Sequence, residues 1–284
     1  MMPAAGDDVS DVGASGVRRV AVVGAGLMGS GIAAVLVQAG FQVEVFDTSQ
    51  AALERAQARA AKLAGDEAGE RLTTRSDLEA AVSAADLVIE AVPEVMALKR
   101  EIFARIDAAA PGGAYLATNT SELSVTGLAG ATARPERVVG MHWFNPPERM
   151  RLVELVRGVR SSQEALAVAK AVAEACGKTV VTVEDRQGFV TTRVVAAVLL
   201  EGARLLEEGV ASREDIDTAV RLGLNHPMGP LELADYIGLD TVLHIAEGMA
   251  EAYGDRFKAP QTLRKLVEAG RLGRKSGGGF YDPQ

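Results

Sequence analysis

Arg18-Arg19-Val20-Ala21-Val22-Val23-Gly24-Ala25-Gly26-Leu27-Met28-Gly29 is the stretch that decides the fold. Residues 18–24 form a short β-branched run of the kind that makes a buried strand. Glycines follow at G-x-G-x-x-G spacing and open an Ala/Leu/Gly-rich segment of helical length that ends near Gln38. In such a strand–turn–helix each glycine has its own task. Gly24 permits the tight turn, Gly26 lets backbone approach a pyrophosphate, and Gly29 lets helix and strand pack closely. Ala25, Leu27 and Met28 complete the loop, and phosphates would sit on the positive helix N-terminus.

A second strand, QVEVFD over 42–47, ends on Asp47, eighteen residues after Gly29. An acid at this place accepts hydrogen bonds from the adenosine ribose and repels a 2′-phosphate. The following Thr48-Ser49-Gln50 offers no arginine to reverse that preference. NAD rather than NADP is the expected cofactor, and no second flavin-type segment accompanies the motif. A bare glycine motif is weak, but strand, turn, helix, second strand and terminal acid together are specific.

Further β-branched runs lie at 86–92, 114–119, 137–143, 151–158 and 178–185, with helical stretches over 51–64, 95–109 and 162–176. The alternation implies βαβ units and an α/β, Rossmann-type, doubly wound and mostly parallel sheet. Residues 65–70, Gly-Asp-Glu-Ala-Gly-Glu, read as an acidic, flexible break. After Asp185 strand signals stop, and helical periodicity runs over 188–208, 213–222, 231–237, 241–253 and 262–269. The organisation expected is a disordered tail over 1–16, an NAD-binding domain over 17–186, and an all-helical substrate and dimerisation domain over 187–284. The apolar helix 194–206 must bury against the first domain or a second subunit, so a homodimer is expected.

With 48% hydrophobic and 24% charged residues, the 284-residue chain can bury a sizeable core. A net charge of −8 argues against a nucleic-acid partner but leaves room for an anionic small-molecule substrate. The one cysteine, Cys176, excludes an internal disulfide framework and suits a reducing compartment; it reads as an inert buried thiol. No apolar run approaches the ~18–20 residues of a membrane span. The N-terminal residues lack the basic start and apolar middle of a secretory signal. A cytoplasmic protein without a membrane partner or a metal site is expected.

His142 lies in Met-His-Trp-Phe-Asn-Pro-Pro (141–147), just past a strand, where ligands bind in open α/β sheets. A neutral imidazole can take the proton of a secondary alcohol as hydride leaves its carbon. Glu154, twelve residues on, lies in a strand that could return beside the first. A carboxylate there would orient the ring and stabilise imidazolium. A lone histidine beside a strand is more often structural; here the rigid polar-aromatic turn and the implied cofactor favour chemistry. His226 and His244 have no such setting and read as structural, and Trp143 and Phe144 as packing.

GAGLMGSGIA (24–33), VIEAVPE (88–94) with Lys99, NTSEL (119–123), HWFNPP (142–147), LVELV (152–156), PMGPLELAD (227–235) and GRKSGGGFYD (273–282) resemble, in order and spacing, the 3-hydroxyacyl-CoA dehydrogenases. They are most like the short 3-hydroxybutyryl-CoA dehydrogenase type, over 17–282. The resemblance implies reversible hydride transfer between C3 of a short acyl thioester and NAD. It makes His142 the general base and Glu154 its partner, and has Ser121 contact substrate and cofactor. Asn145 would hold the nicotinamide side, Glu94 and Lys99 would line the NAD crevice, and Lys275 would reach toward the cofactor. Ser121 could instead be a helix cap, and Lys275 a solvated loop charge.

Two departures stand out. Thr192 occupies the place of a substrate-binding Asn, and a hydroxyl has fewer donors on a shorter arm than an amide. The segment after the ribose acid is shorter than the family's helical hairpin. There Arg55, Arg59 and Lys62 share one helix face, as a solvated basic face or as a CoA contact. Both departures keep an alternative substrate open: a carrier-protein-linked hydroxyacyl group or a free hydroxy acid. A non-catalytic NAD-binding scaffold fits less well with His142 and Glu154 both present. The lysine motif of the lysine-based hydroxy-acid dehydrogenases has no counterpart, Arg193 standing in that region.

Overall fold

A computed structural model describes residues 16–282. The tail expected over 1–16 therefore lies, but for Gly16, outside the described residues. Contacts divide the chain between Arg186 and Gln187 into two units.

In the first unit the elements run β1 (Arg19–Val23), α1 (Leu27–Gln38), β2 (Gln42–Phe46), α2 (Gln50–Ala64), α3 (Glu67–Arg71), β3 (Leu72–Arg75) and α4 (Leu78–Val82). They continue with β4 (Leu87–Glu90), α5 (Met96–Ala109), β5 (Tyr115–Thr118), α6 (Val125–Ala129), β6 (Val138–Trp143), β7 (Leu152–Arg157), α7 (Gln163–Ala175) and β8 (Thr179–Glu184). The eight strands make one sheet in the order β3-β2-β1-β4-β5-β6-β7-β8. Every neighbouring pair is parallel except β6 and β7. This is the expected Rossmann-type sheet. Its central strands β4, β5 and β6 are buried at every residue, which is why they read as unbroken apolar runs and not as alternating ones.

The reversal of strand order between β1 and β4 puts the turns after β1, β2, β4, β5 and β6 at the carboxyl edge of the sheet. Helix α1 is buried at Gly29 to Val37 and lies against α2.

The region expected as a flexible break is ordered. Residues 67–71 form α3, and Leu72–Arg75 add β3 at the sheet edge through a parallel ladder with β2. Its LTTR alternates half-buried and exposed positions and carries one large apolar residue. Periodicity alone cannot find such a strand; pairing with Val43 to Phe46 and the Arg75–Glu44 ion pair hold it.

The second unit contains α8 (Thr191–Glu207), α9 (Arg213–Gly223), α10 (Pro230–Ile237), α11 (Leu239–Tyr253) and α12 (Gln261–Glu268). Ala196, Leu199, Leu200 and Ala203 of α8 bury against Ile216, Leu231, Val242 and Met249 of that same unit. The apolar face of α8 therefore needs no second subunit for most of its length. Val190 and Val194 remain exposed at its start.

The last segment folds back on α10. Asp235 accepts from the amides of Phe280 and Tyr281 at 2.8 and 2.9 Å. Among the described residues no helix is long and apolar enough to cross a membrane, and no group of three or more His, Cys, Asp or Glu could hold a metal ion.

Candidate active site

The glycine loop has the geometry its sequence requires. Gly24 sits at φ 104°, and a Cβ there would lie 2.7 Å from the Ala91 carbonyl. A Cβ on Gly29 would come within 1.7 Å of the Gly24 carbonyl, so only glycine lets α1 start this close to the turn. A Cβ on Gly26 meets nothing within 4 Å among the described residues. Its lack of a side chain serves no internal packing and leaves room outside the loop.

No side chain caps α1, so amides of its first turn face outward as donors for an anion. Asp47, following β2, accepts from the Ala25 amide at 2.7 Å and the Ser49 amide at 2.8 Å. It thereby ties the loop to the edge where a ribose would lie. The open side at Gly26, the uncapped helix start and the terminal acid fit a dinucleotide.

Gly26→Val is accordingly expected to fold with an unchanged Tm while weakening NADH binding about tenfold or more, about 1.4 kcal/mol. Gly29→Ala should lower Tm as well. Thermal melts and NADH fluorescence titration check both; a lowered Tm in Gly26→Val would mean the residue is a packing glycine.

His142 and Glu154 are directly opposed across the antiparallel β6–β7 pair. Residues so placed have side chains on one face within reach of each other. His142 Nδ1 lies 2.8 Å from Glu154 Oε2, with the histidine 6% exposed and the glutamate fully buried. The Phe144 ring packs against the imidazole, with centroids 4.5 Å apart. The one antiparallel pair in the sheet is thus what turns a spacing of twelve residues into a contact.

The loops around this pair are anchored. Asn119 Oδ1 accepts from the Trp143 amide at 2.9 Å, joining the turn after β5 to that after β6. Lys178 Nζ donates to the Pro147 and Met150 carbonyls at 2.6 and 3.0 Å. Asn145 is exposed and its bond to Pro146 is cis.

Glu94 Oε1 accepts from the Thr120 hydroxyl and, at 2.8 Å, from the Ser121 amide. Among the described residues the Ser121 hydroxyl caps no helix. Thr120 Oγ1 accepts from the amides of Glu122 and Leu123, and Ser124 caps α6 by accepting from the Gly127 amide. The helix-cap reading of Ser121 is therefore excluded.

One expected crevice residue is placed differently. Lys99 is 1% exposed, its ammonium 2.6 Å from Glu90, 3.2 Å from the Val92 carbonyl and 3.2 Å from Glu94. Three acceptors fill the three donors of an ammonium, so Lys99 supports the loop from behind instead of lining the crevice. Lys275 Nζ donates to Asp240 Oδ2 at 2.7 Å within the second unit and holds that carboxyl below its usual range. Its side chain remains 48% exposed. Thr192 is buried in the first turn of α8.

Sequence reasoning missed Asn119, Lys178 and the Glu90–Thr118–Lys99 cluster, whose partners lie many residues apart; only the polar interruption of buried strands hints at Glu90 and Thr118. It also missed the partners of Arg59, which is half-buried. Its guanidinium reaches the Leu27 carbonyl at 2.6 Å and the Glu148 carboxylate at 2.7 Å. Cys176 is half-buried, and burial pushes its thiol up to about 12.

The family model for the 3-hydroxyacyl-CoA dehydrogenase NAD-binding domain matches residues 19–186, and that for the 3-hydroxyacyl-CoA dehydrogenase C-terminal domain matches residues 188–283. The chain is 43% identical over 279 residues to a probable 3-hydroxybutyryl-CoA dehydrogenase of Bacillus subtilis, covering 94% of this chain and 97% of that protein. It is 44% identical over 281 residues to a 3-hydroxybutyryl-CoA dehydrogenase of Mycobacterium tuberculosis, covering 93% and 98%. The crystal structure of an (S)-3-hydroxybutyryl-CoA dehydrogenase from Ralstonia eutropha superposes with a TM-score of 0.90 at 38% identity, covering 94% of this chain and 99% of that one.

Proposed function

The chain belongs to the 3-hydroxyacyl-CoA dehydrogenase family, and from that premise we propose that His142, held by Glu154, is the proton acceptor for oxidation of a short 3-hydroxyacyl-CoA at C3. The enzyme is an NAD-dependent oxidoreductase of that family. The observation that carries the residue assignment is the 2.8 Å contact between His142 Nδ1 and Glu154 Oε2 beside the sheet's carboxyl edge.

With Nδ1–H donated to the carboxylate, Nε2 is the nitrogen that receives the C3 hydroxyl proton. When bound, NAD supplies the hydride acceptor. Loss of the O–H proton to His142 and of hydride from C3 leaves a 3-keto thioester, and the imidazolium formed is stabilised by buried Glu154. In the reverse direction His142 returns the proton. Ser121 hydrogen-bonds the reacting oxygen, Asn145 holds the nicotinamide side, and Glu94 keeps the Ser121 backbone in place through its amide. Asp47 takes the adenosine ribose. Thr192 is our candidate for a substrate contact and Lys275 for a cofactor contact, both on the family pattern.

The names of the relatives favour a CoA thioester over a carrier-linked or free acid. Initial rates of NADH formation should be at least about tenfold higher in kcat/KM with 3-hydroxybutyryl-CoA than with the pantetheine thioester or 3-hydroxybutyrate, a difference of about 1.4 kcal/mol. Equal rates across the panel would remove the CoA assignment. We also place the protein in the cytoplasm, where a reducing milieu suits its single thiol, and assign a homodimer supported by the exposed Val190 and Val194. Sedimentation velocity checks the latter.

A further inference from the structure

We propose that Arg59 is a positioning residue that fixes the loop following the histidine-bearing strand β6 to the first turn of α1, so that dinucleotide binding and proton transfer share one anchor. The inference rests on the reading that α1 receives the dinucleotide and His142 the proton.

The Arg59 guanidinium has two sets of partners. Nη1 donates to the Leu27 carbonyl at 2.6 Å and to Ser30 Oγ at 3.0 Å, both in the first turn of α1. Nη2 donates to both carboxylate oxygens of Glu148, at 3.0 and 2.7 Å. Glu148 directly follows Pro146 and Pro147 in the loop that leaves β6 two residues after His142 and carries Phe144 and Asn145. A planar fork can bridge two groups in fixed geometry in a way an ammonium cannot.

Room for this bridge is built into α1. A Cβ on Gly31 would lie 2.7 Å from the Arg59 guanidinium and 2.9 Å from Pro147 Cδ. Gly31 is therefore the gap through which α1, α2 and the loop converge on Arg59. Burial alone would push the Glu148 carboxyl up; the hydrogen bonds from Arg59 lead the opposing effects and hold it below its usual range. From the other side Lys178 grips the Pro147 and Met150 carbonyls. The loop is thus fastened at both edges, and only the Arg59 fastening also touches the dinucleotide helix.

Two measurements separate positioning from mere stability: NADH affinity by fluorescence titration, and the single-turnover rate of NADH formation. Glu148→Gln should slow the single-turnover rate about ten- to a hundredfold, the range a small misplacement costs, without weakening NADH binding. Arg59→Met should slow it equally and also weaken NADH binding about two- to fivefold, as expected for a lost charge near a helix start. Arg59→Lys keeps the charge but not the fork, so it should restore affinity and not rate. The double variant Arg59→Met/Glu148→Gln should be no slower than Arg59→Met.

Multiplying effects in the double variant, or full single-turnover rates in Glu148→Gln and Arg59→Lys, would overturn the proposal. Should Arg59→Met fail to fold, those two variants decide alone. A wild-type protein that neither binds NADH nor turns over would instead overturn the underlying reading.

Discussion

His142→Asn is expected to lower kcat by about two to four orders of magnitude, the usual worth of a placed general base, while NADH binding stays within about twofold. Asparagine is close to isosteric with the inner half of the imidazole and can still donate to Glu154, so the pocket between β6 and β7 stays filled. Glu154→Gln tests the partner. Glutamine preserves volume at a fully buried position but replaces the charge that faces Nδ1 at 2.8 Å. Its imidazolium is no longer stabilised and its ring no longer held in one tautomer, so kcat should fall roughly a hundredfold or more.

Because the two residues act as one unit, the double variant should be little slower than His142→Asn alone. Rates within fivefold of wild type for either variant, with the melting temperature unchanged, would remove His142 from the chemistry.

What the sequence disclosed follows from how local each feature is. The turn at 24–29 could be read because its three glycines answer requirements within a few residues of chain: a positive φ at Gly24, a 1.7 Å conflict at Gly29, open space at Gly26. The His142–Glu154 pairing was legible one step further, since two consecutive strands that return on each other put residues into register. Strand β3 and helix α3 were not, because a half-exposed edge strand and a one-turn helix owe their existence to what they pair with and hardly at all to their own pattern.

Arg59 and Lys99 mark the limit. On a helix surface Lys99 reads as a charge lining the cofactor crevice and Arg59 as a solvated charge or a CoA contact, and the periodicity of α2 and α5 cannot tell whether a cation faces water or closes onto a carboxylate elsewhere in the chain. Glu148 is eighty-nine residues from Arg59, and Glu90 precedes Lys99 across a turn whose path is not written in any spacing rule. The structure gives both cations carboxylate partners that no spacing discloses. A long-range ion pair removes a side chain from the surface and gives it a supporting role.

Lys99→Met is therefore expected to destabilise the protein by about 3–5 kcal/mol at neutral pH, the typical result of stripping the partner from a buried charge. In the wild type the ammonium sits 2.6 Å from Glu90, whose side chain is fully buried. Burial already pushes the Glu90 carboxyl up, and Lys99, with hydrogen bonds from Thr118 and the Val92 amide, pulls it back.

Remove the ammonium and the folded carboxyl rises further above its unfolded value of about 4.3. An acid raised on folding is penalised only where the unfolded chain would be ionised. The destabilisation should thus grow as pH rises from about 4.3 through the raised folded value, and be relieved on acidification. Adding Glu90→Gln to Lys99→Met removes the stranded charge, and should recover part of the loss and flatten its pH dependence. Urea unfolding at pH 5 and pH 7.5 reads both effects. Equal stability of Lys99→Met at the two pH values would mean that Glu90 is not the charge Lys99 holds. Activity adds a second readout: with Lys99 gone, Glu94 loses its 3.2 Å ion pair while still carrying the Thr120 hydroxyl and the Ser121 amide. The turn bearing Ser121 should loosen, and kcat should fall even at temperatures where the variant is fully folded.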